Sequence, residues 1–161
     1  MLKSTFTFRA LLIPFLIIVL IVVPVCIVVK NWPIDLAKIS GLYIYLTVAL
    51  LFTLIWLVFG ELRTKIISVT IDHQYIEKKN YLGWYQKYHF KDFDGFETSI
   101  LVSKGASHEY LYLVKNNRKI IKISEAYHKN YNELKDRISL HSKDLGEVQF
   151  SYIDELKEIF K

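Results

Sequence analysis

The chain has 161 residues, 52% of them hydrophobic and 23% charged, with a net charge of +5. That length suits one domain with a small addition, and so much apolar residue beside so much charge requires that the two be unevenly distributed. The single cysteine excludes an intramolecular disulfide and any metal centre built on several thiolates.

The unevenness is visible at once. Residues 10–29 read "ALLIPFLIIVLIVVPVCIVV" without a charge, and residues 42–59 read "LYIYLTVALLFTLIWLVF", polar only at Thr47, Thr53 and two tyrosine hydroxyls. At a rise of about 1.5 Å per residue, each run can cross a hydrocarbon core of about 30 Å as a helix, which satisfies its own backbone hydrogen bonds. The sequence therefore predicts a two-helix transmembrane anchor, with helices at about 9–30 and 40–60, inside an N-terminal segment of residues 1–64. The first run is too long for the core of a signal peptide, and no small-residue cleavage site follows it. Pro14 and Pro24 are tolerable in a membrane helix and kink it. Lys3 and Arg9 precede the hairpin, Arg63 and Lys65 follow it, and Lys30, Lys38 and Asp35 lie between the runs. This bias places both termini in the cytoplasm and the protein in the cell (inner) membrane. Neither run carries an internal charge, which argues against transport. Cys26 reads as a small apolar filler.

Four of the 21 basic and one of the 16 acidic residues precede Glu61, leaving 17 against 15 in the remainder. That balance is too even for a nucleic-acid domain, which needs a strong positive stripe. The remainder alternates apolar and polar residues in short runs: 65–71, 75–80, 84–90, 96–104, 109–115 and 118–123. "DHQ" turns the first pair, and "NN" at 116–117 suits a two-residue hairpin because Asn tolerates positive φ. The period then changes: Tyr127, Tyr131, Leu134 and Ile138 fall on one helical face, with Asn130 and Glu133 at capping-box spacing. After a break, Ile153, Leu156, Ile159 and Phe160 suggest a short amphipathic helix within a C-terminal extension, 141–161.

A meander of strands closed by one amphipathic helix is the layout of a pleckstrin-homology-like (PH-like) domain. Residues 65–140 resemble the bacterial PH-like domains of small membrane proteins with an N-terminal pair of transmembrane helices. The residues that carry the resemblance are "ISVTIDHQYIEKKN", "YHFKDFDGF", "LYLVKNNRKIIKIS" and "NYNELKDRI". The expected fold is thus a transmembrane helical hairpin plus an α+β domain, a small antiparallel sandwich or barrel of six or seven strands capped by a helix. The resemblance implies a curved sheet that binds lipid or protein, and no reaction. The phosphoinositide-binding lysines of eukaryotic relatives lie in the first hairpin, where this chain has "DHQ".

About five residues separate Phe59 from the first strand, a leash of at most about 17 Å, so the domain must sit close to the bilayer. If the first strand climbs away, "DHQ", "KDFDG" and "NN" are distal, while "NYLGW" and "KGASH" return toward the membrane. The stretch "KKNYLGWYQK" then offers Lys78, Lys79, Tyr81, Trp84 and Lys87 as lipid-contact candidates. The alternative packs Trp84 into the sandwich and leaves the lysines to solubilise an edge strand. Tyr110, Tyr112, Arg118 and Lys122 should face away from Leu111, Ile121 and Ile123. That outer face is either solvated or a partner surface, since exposed tyrosine beside arginine is common at interfaces.

His73, His89, His108, His128 and His141 have no ligand-like spacing and are assigned to turns and exposed faces, so neither metal nor cofactor is expected. Asp92 and Asp94 read as turn residues, and no Walker loop, Gly-x-Ser-x-Gly or His-Glu-x-x-His occurs. The sequence thus points to a non-enzymatic, membrane-anchored interaction module that binds an unidentified protein partner or anionic lipid. Two alternatives stand beside it: an inner-membrane immunity-type protein that neutralises a toxin, and an accessory subunit of a membrane complex. A homo-oligomer is compatible with either.

Overall fold

A computed structural model describes residues 1–30, 40–63, 66–81, 83–103 and 106–149. The short helix expected around Ile153 to Phe160 lies outside these residues. The first apolar run forms α1, Phe8–Lys30, with Pro14 and Pro24 inside it. The second forms α2, Gly41–Ile55, and continues as a π-helical segment, Trp56–Leu62. The wider turns show in the bonds Arg63 N–H to Val58 O (3.0 Å) and Ile66 N–H to Glu61 O (3.3 Å), each spanning five residues. Both helices are long and apolar enough to cross a membrane, and only 6% and 0% of their most apolar stretches are buried within the protein. Their buried residues are Ala10, Ile17 and Gly60.

The remaining elements form two four-stranded sheets. One has the order β1–β2–β3–β4, built from Leu2–Lys3, Ile67–Ile71, Tyr75–Asn80 and Tyr85–His89. The other contains β5 (Gly95–Ser103), β6 (Ala106–Lys115), β7 (Arg118–Ser124) and β8 (Asp144–Glu147), in the order β7–β6–β5–β8. Alternation works as expected in β2, where Ile67, Val69 and Ile71 are buried and Ser68 and Thr70 half-buried. These join Ile76, Phe96, Leu111, Leu113, Ile121 and Ile123 in one core. Helix α3, Tyr131–Ser139, adds Tyr131, Leu134 and Ile138 to it, spaced three and four apart. Asn116 and Asn117 adopt φ of 52° and 57°, the left-handed pair that a tight hairpin with correctly twisted strands needs.

Four expectations are corrected. The described residues form eight strands, against an expected six or seven. The first extra one, β1, belongs to the segment assigned to the anchor. Leu2 pairs with Ile71 and Lys3 with Thr70, Ser4 and Val69 exchange bonds of 2.8 and 2.9 Å, and Phe6 bridges to His128. The domain therefore begins before the first helix and is interrupted by the hairpin. The second extra strand, β8, pairs in parallel with β5, at Phe96 with Asp144 and Thr98 with Glu147, in what had read as a break. Third, Asn130 precedes α3 but its side chain does not cap the helix. Its carbonyl accepts from Thr5 N–H (2.8 Å) and Thr5 Oγ1 (3.1 Å), and its amide donates to Lys3 O (3.0 Å). A partner 125 residues away has outcompeted the local cap. Fourth, His128 lies in the turn before α3, as a turn assignment allows, but it is buried there, at 1% accessibility.

Gly95 shows how β8 is fitted. A Cβ there would press on the Lys143 carbonyl and come within 2.7 Å of Leu145 Cγ. Gly95→Ala is expected to displace β8 at a cost of about 1–3 kcal/mol, seen as faster amide exchange at residues 144–148 with little change in β6 and β7.

Candidate functional site

The chain enters α1 from β1 and leaves the π-helical segment toward β2, so both feet of the helical hairpin stand on the first sheet. The β3–β4 turn reaches the chain at both of them. Asn80, 6% exposed, organises it: its Oδ1 accepts the Trp84 amide (2.9 Å), its own amide donates to Trp84 O (3.1 Å), and Gly83 N–H donates to Asn80 O (3.1 Å). Gly83 takes φ +86°, a conformation that costs glycine little. The indole of Trp84 is thereby held outward, 59% exposed, with the Arg63 guanidinium 5.0 Å from its centroid. Phe6, two residues before α1, meets Tyr81 at 5.9 Å between centroids. One turn thus touches the chain at both feet, the placement expected for "NYLGW". Trp84 does not pack into the sandwich.

The lysines of the same stretch are placed differently. Lys79 is exposed, one residue from the turn. Lys78 is half-buried, and its ammonium donates to Ile120 O at 2.9 Å. Lys87 pairs with Glu77 at 3.1 Å and lies 4.6 Å from the Tyr75 ring, toward the far end of β3. A hydrogen bond from Tyr85 and another from Lys87 hold the Glu77 carboxyl below its usual range, and Glu77 in turn raises Lys87. Of the five lipid-contact candidates, then, Tyr81, Trp84 and Lys79 cluster at the helix feet, while Lys78 and Lys87 are engaged elsewhere.

The outer face of the second sheet is corrected outright. Tyr110, Tyr112 and Lys122 point away from Leu111 and Leu113, as alternation requires, yet they are only 4%, 3% and 7% exposed. The tyrosine rings stack 6.3 Å apart, with the Lys122 ammonium 4.8 and 5.4 Å from them and Lys119 4.2 Å from Tyr112. Register explains the pairing, since Tyr112 lies opposite Lys122. Cations set over aromatic faces keep favourable partners when desolvated. Only Arg118 of the four partner-surface candidates is exposed, so they do not form an open docking face.

Sequence reasoning missed three features of the region between feet and core. Tyr127 donates from its hydroxyl to Glu61 Oε2 (3.1 Å), tying the π-helical segment to the turn before α3. Arg9, in the first turn of α1, lies 2.8 Å by Nη1 from His108 Nε2 on β6. His128 Nε2 lies 2.9 Å from Ile67 O, while Nδ1 lies 2.9 Å from Ser124 O and 3.3 Å from Ser124 N. Burial lowers the His128 pKa, opposed by its bonds to Ile67 and Ser124. The ring thus joins β2, at Ile67, to the end of β7, at Ser124. Only the unusual aromatic content of "FTFR" and "YHKN" hinted at these pairings. The chain matches no protein-family model, and neither a curated protein nor a solved structure is significantly similar to it.

Proposed function

We propose that this protein is a non-catalytic interaction module held by a two-helix hairpin at the cytoplasmic face of the cell membrane, where it engages a protein partner or anionic lipid. One observation carries the reading: the strand before α1 and the strand after the π-helical segment are hydrogen-bonded neighbours. The hairpin leaves and re-enters the same sheet, so a crossing by α1 must be reversed by α2. The bonds at Thr7, Arg9 and Glu61 replace a flexible leash with fixed joints. A domain so mounted has one end committed to the bilayer and the other presented to the cytosol. Within this proposal the domain is grouped with PH-like modules, a grouping supported by its consecutive antiparallel hairpins followed by α3.

The reading is tested by thiol labelling in intact cells, in a Cys26→Ala background. Asp35→Cys should react with an impermeant maleimide from outside, whereas Asn116→Cys should react only after permeabilisation. Reaction of both from one side would remove the spanning hairpin, and the reading with it.

A further inference from the structure

The exposed hairpin ends at the helix feet support an inference that rests on the anchored reading and names what the near end of the domain touches. Strand register gives the domain a direction. β1 runs from Leu2 opposite Ile71 to Ser4 beside Val69, Thr7 N–H then donates to Tyr127 O, and α1 starts at Phe8. The near end is therefore the one holding Ile67, Asn80 and Tyr127. β5 and β6 close toward that same end. Leu101 faces His108, which Arg9 contacts, and Val102 with its partner Ser107 lies one residue further on, about 3.3 Å along the strand.

Ile100 and Val102 share the strand face that carries Phe96 in the core, but they are 45% and 69% exposed. This face of β5 thus runs out of the core, past the half-buried Thr98, toward the helix feet, and ends uncovered among the described residues. The corresponding end of the first sheet presents Trp84 and Tyr81. Arg9 and Arg63 stand beside these two ends. Aromatic and aliphatic groups flanked by arginine at the first turn of an apolar helix match the headgroup layer, where rings sit among anionic phosphates.

We propose that the β5–β6 hairpin, through Ile100 and Val102, and the β3–β4 turn, through Trp84, dip into the headgroup layer of the bilayer that holds α1 and α2. The occupant is lipid because Phe8 and Leu11 of α1 are 73% and 52% exposed. Bilayer surrounding α1 therefore begins within about one helical turn of Arg9, and Val102 is one residue beyond the Leu101–His108 pair that Arg9 contacts.

The test uses the full chain, with Cys26→Ala, in phosphatidylcholine–phosphatidylglycerol vesicles. Spin labels are placed singly at Val102→Cys, Trp84→Cys, Val19→Cys and Asn116→Cys, and their collisions with oxygen and with a water-soluble nickel chelate are compared. The expected result is an oxygen-to-nickel ratio at positions 84 and 102 several-fold above that at 116 and approaching that at 19. If position 19 is oxygen-rich but 102 matches 116, the lipid contact is overturned and the anchor stands. If 19 itself is nickel-rich, the anchor fails and the contact with it. A label at 102 shielded from both reagents would mean protein covers it, which also overturns the proposal.

Discussion

A fragment of residues 61–161 is expected to lack a cooperative thermal transition. The same fragment, with residues 1–7 joined to its start by a linker in place of the helices, is expected to show one. The fragment loses β1 and every group that β1 satisfies. The amide and carbonyl of Val69, a wholly buried residue, bond to Ser4 Oγ and Ser4 N–H. Lys129 N–H donates to Thr5 O at 2.8 Å, and Asn130 bonds only to Lys3 and Thr5 among the side-chain contacts described. The Phe6 ring meets the His128 ring at 5.6 Å, tilted by 39°, beneath the helix feet. Each buried polar group left unpaired costs about 1–3 kcal/mol, so the two Val69 groups alone cost about 2–6 kcal/mol, a large share of the stability of a small domain. Equal midpoints for the two proteins in circular dichroism melts would show β1 to be dispensable. Lipid binding must therefore be measured with the full chain.

His128→Leu carries the other large effect. The substitution leaves Ile67 O and the Ser124 amide without the imidazole between β2 and the turn before α3, at a cost of about 3 kcal/mol. His128→Gln, which can donate and accept, should recover part of it. Proton linkage provides a readout that simple loss of volume does not mimic. Because burial lowers the folded-state pKa of His128, the unfolded chain binds the proton more readily. Stability from this group is complete above the ordinary histidine pKa, about 6.5. It is lost as pH falls from there toward the lowered folded value. Between pH 7.5 and 5 the wild type should therefore lose stability that His128→Gln retains, as measured by denaturant midpoints at each pH. Parallel pH profiles would refute the buried neutral histidine.

The two effects share a cause: β1, β2 and the turn before α3 meet at His128, directly under the point where α1 departs. A change in the tilt of the helices would bear on this junction and on the Glu61–Tyr127 bond. The Tyr110, Tyr112 and Lys122 face, by contrast, is already covered and offers a partner only Arg118 and the ends of its strands.

Several features were legible in the chain alone. Two apolar runs of helical length, alternation in β2 to β7, the Asn116–Asn117 turn and the apolar face of α3 are all local, because each depends on residues within one element or one hairpin. The nearness of the Asn80–Trp84 turn and of His108 to the helix feet also followed, from strand lengths and a short leash. What only the tertiary structure decided are pairings between segments far apart. β1 is two residues long and has no periodicity of its own, and its partner lies beyond both helices. β8, "DLGE", is exposed throughout and pairs in parallel across a register shift. Asn130 was placed correctly as a helix start but given the wrong bond, because capping-box spacing is a local signal and its partner is Thr5. Tyr110 and Tyr112 read as an outer face because alternation tells which side of a strand a residue occupies, not whether that side is covered, and the turn position of His128 says nothing of its burial. A sequence states the period of each element; the free energy of closing one element on another is set only when the whole chain has folded around it.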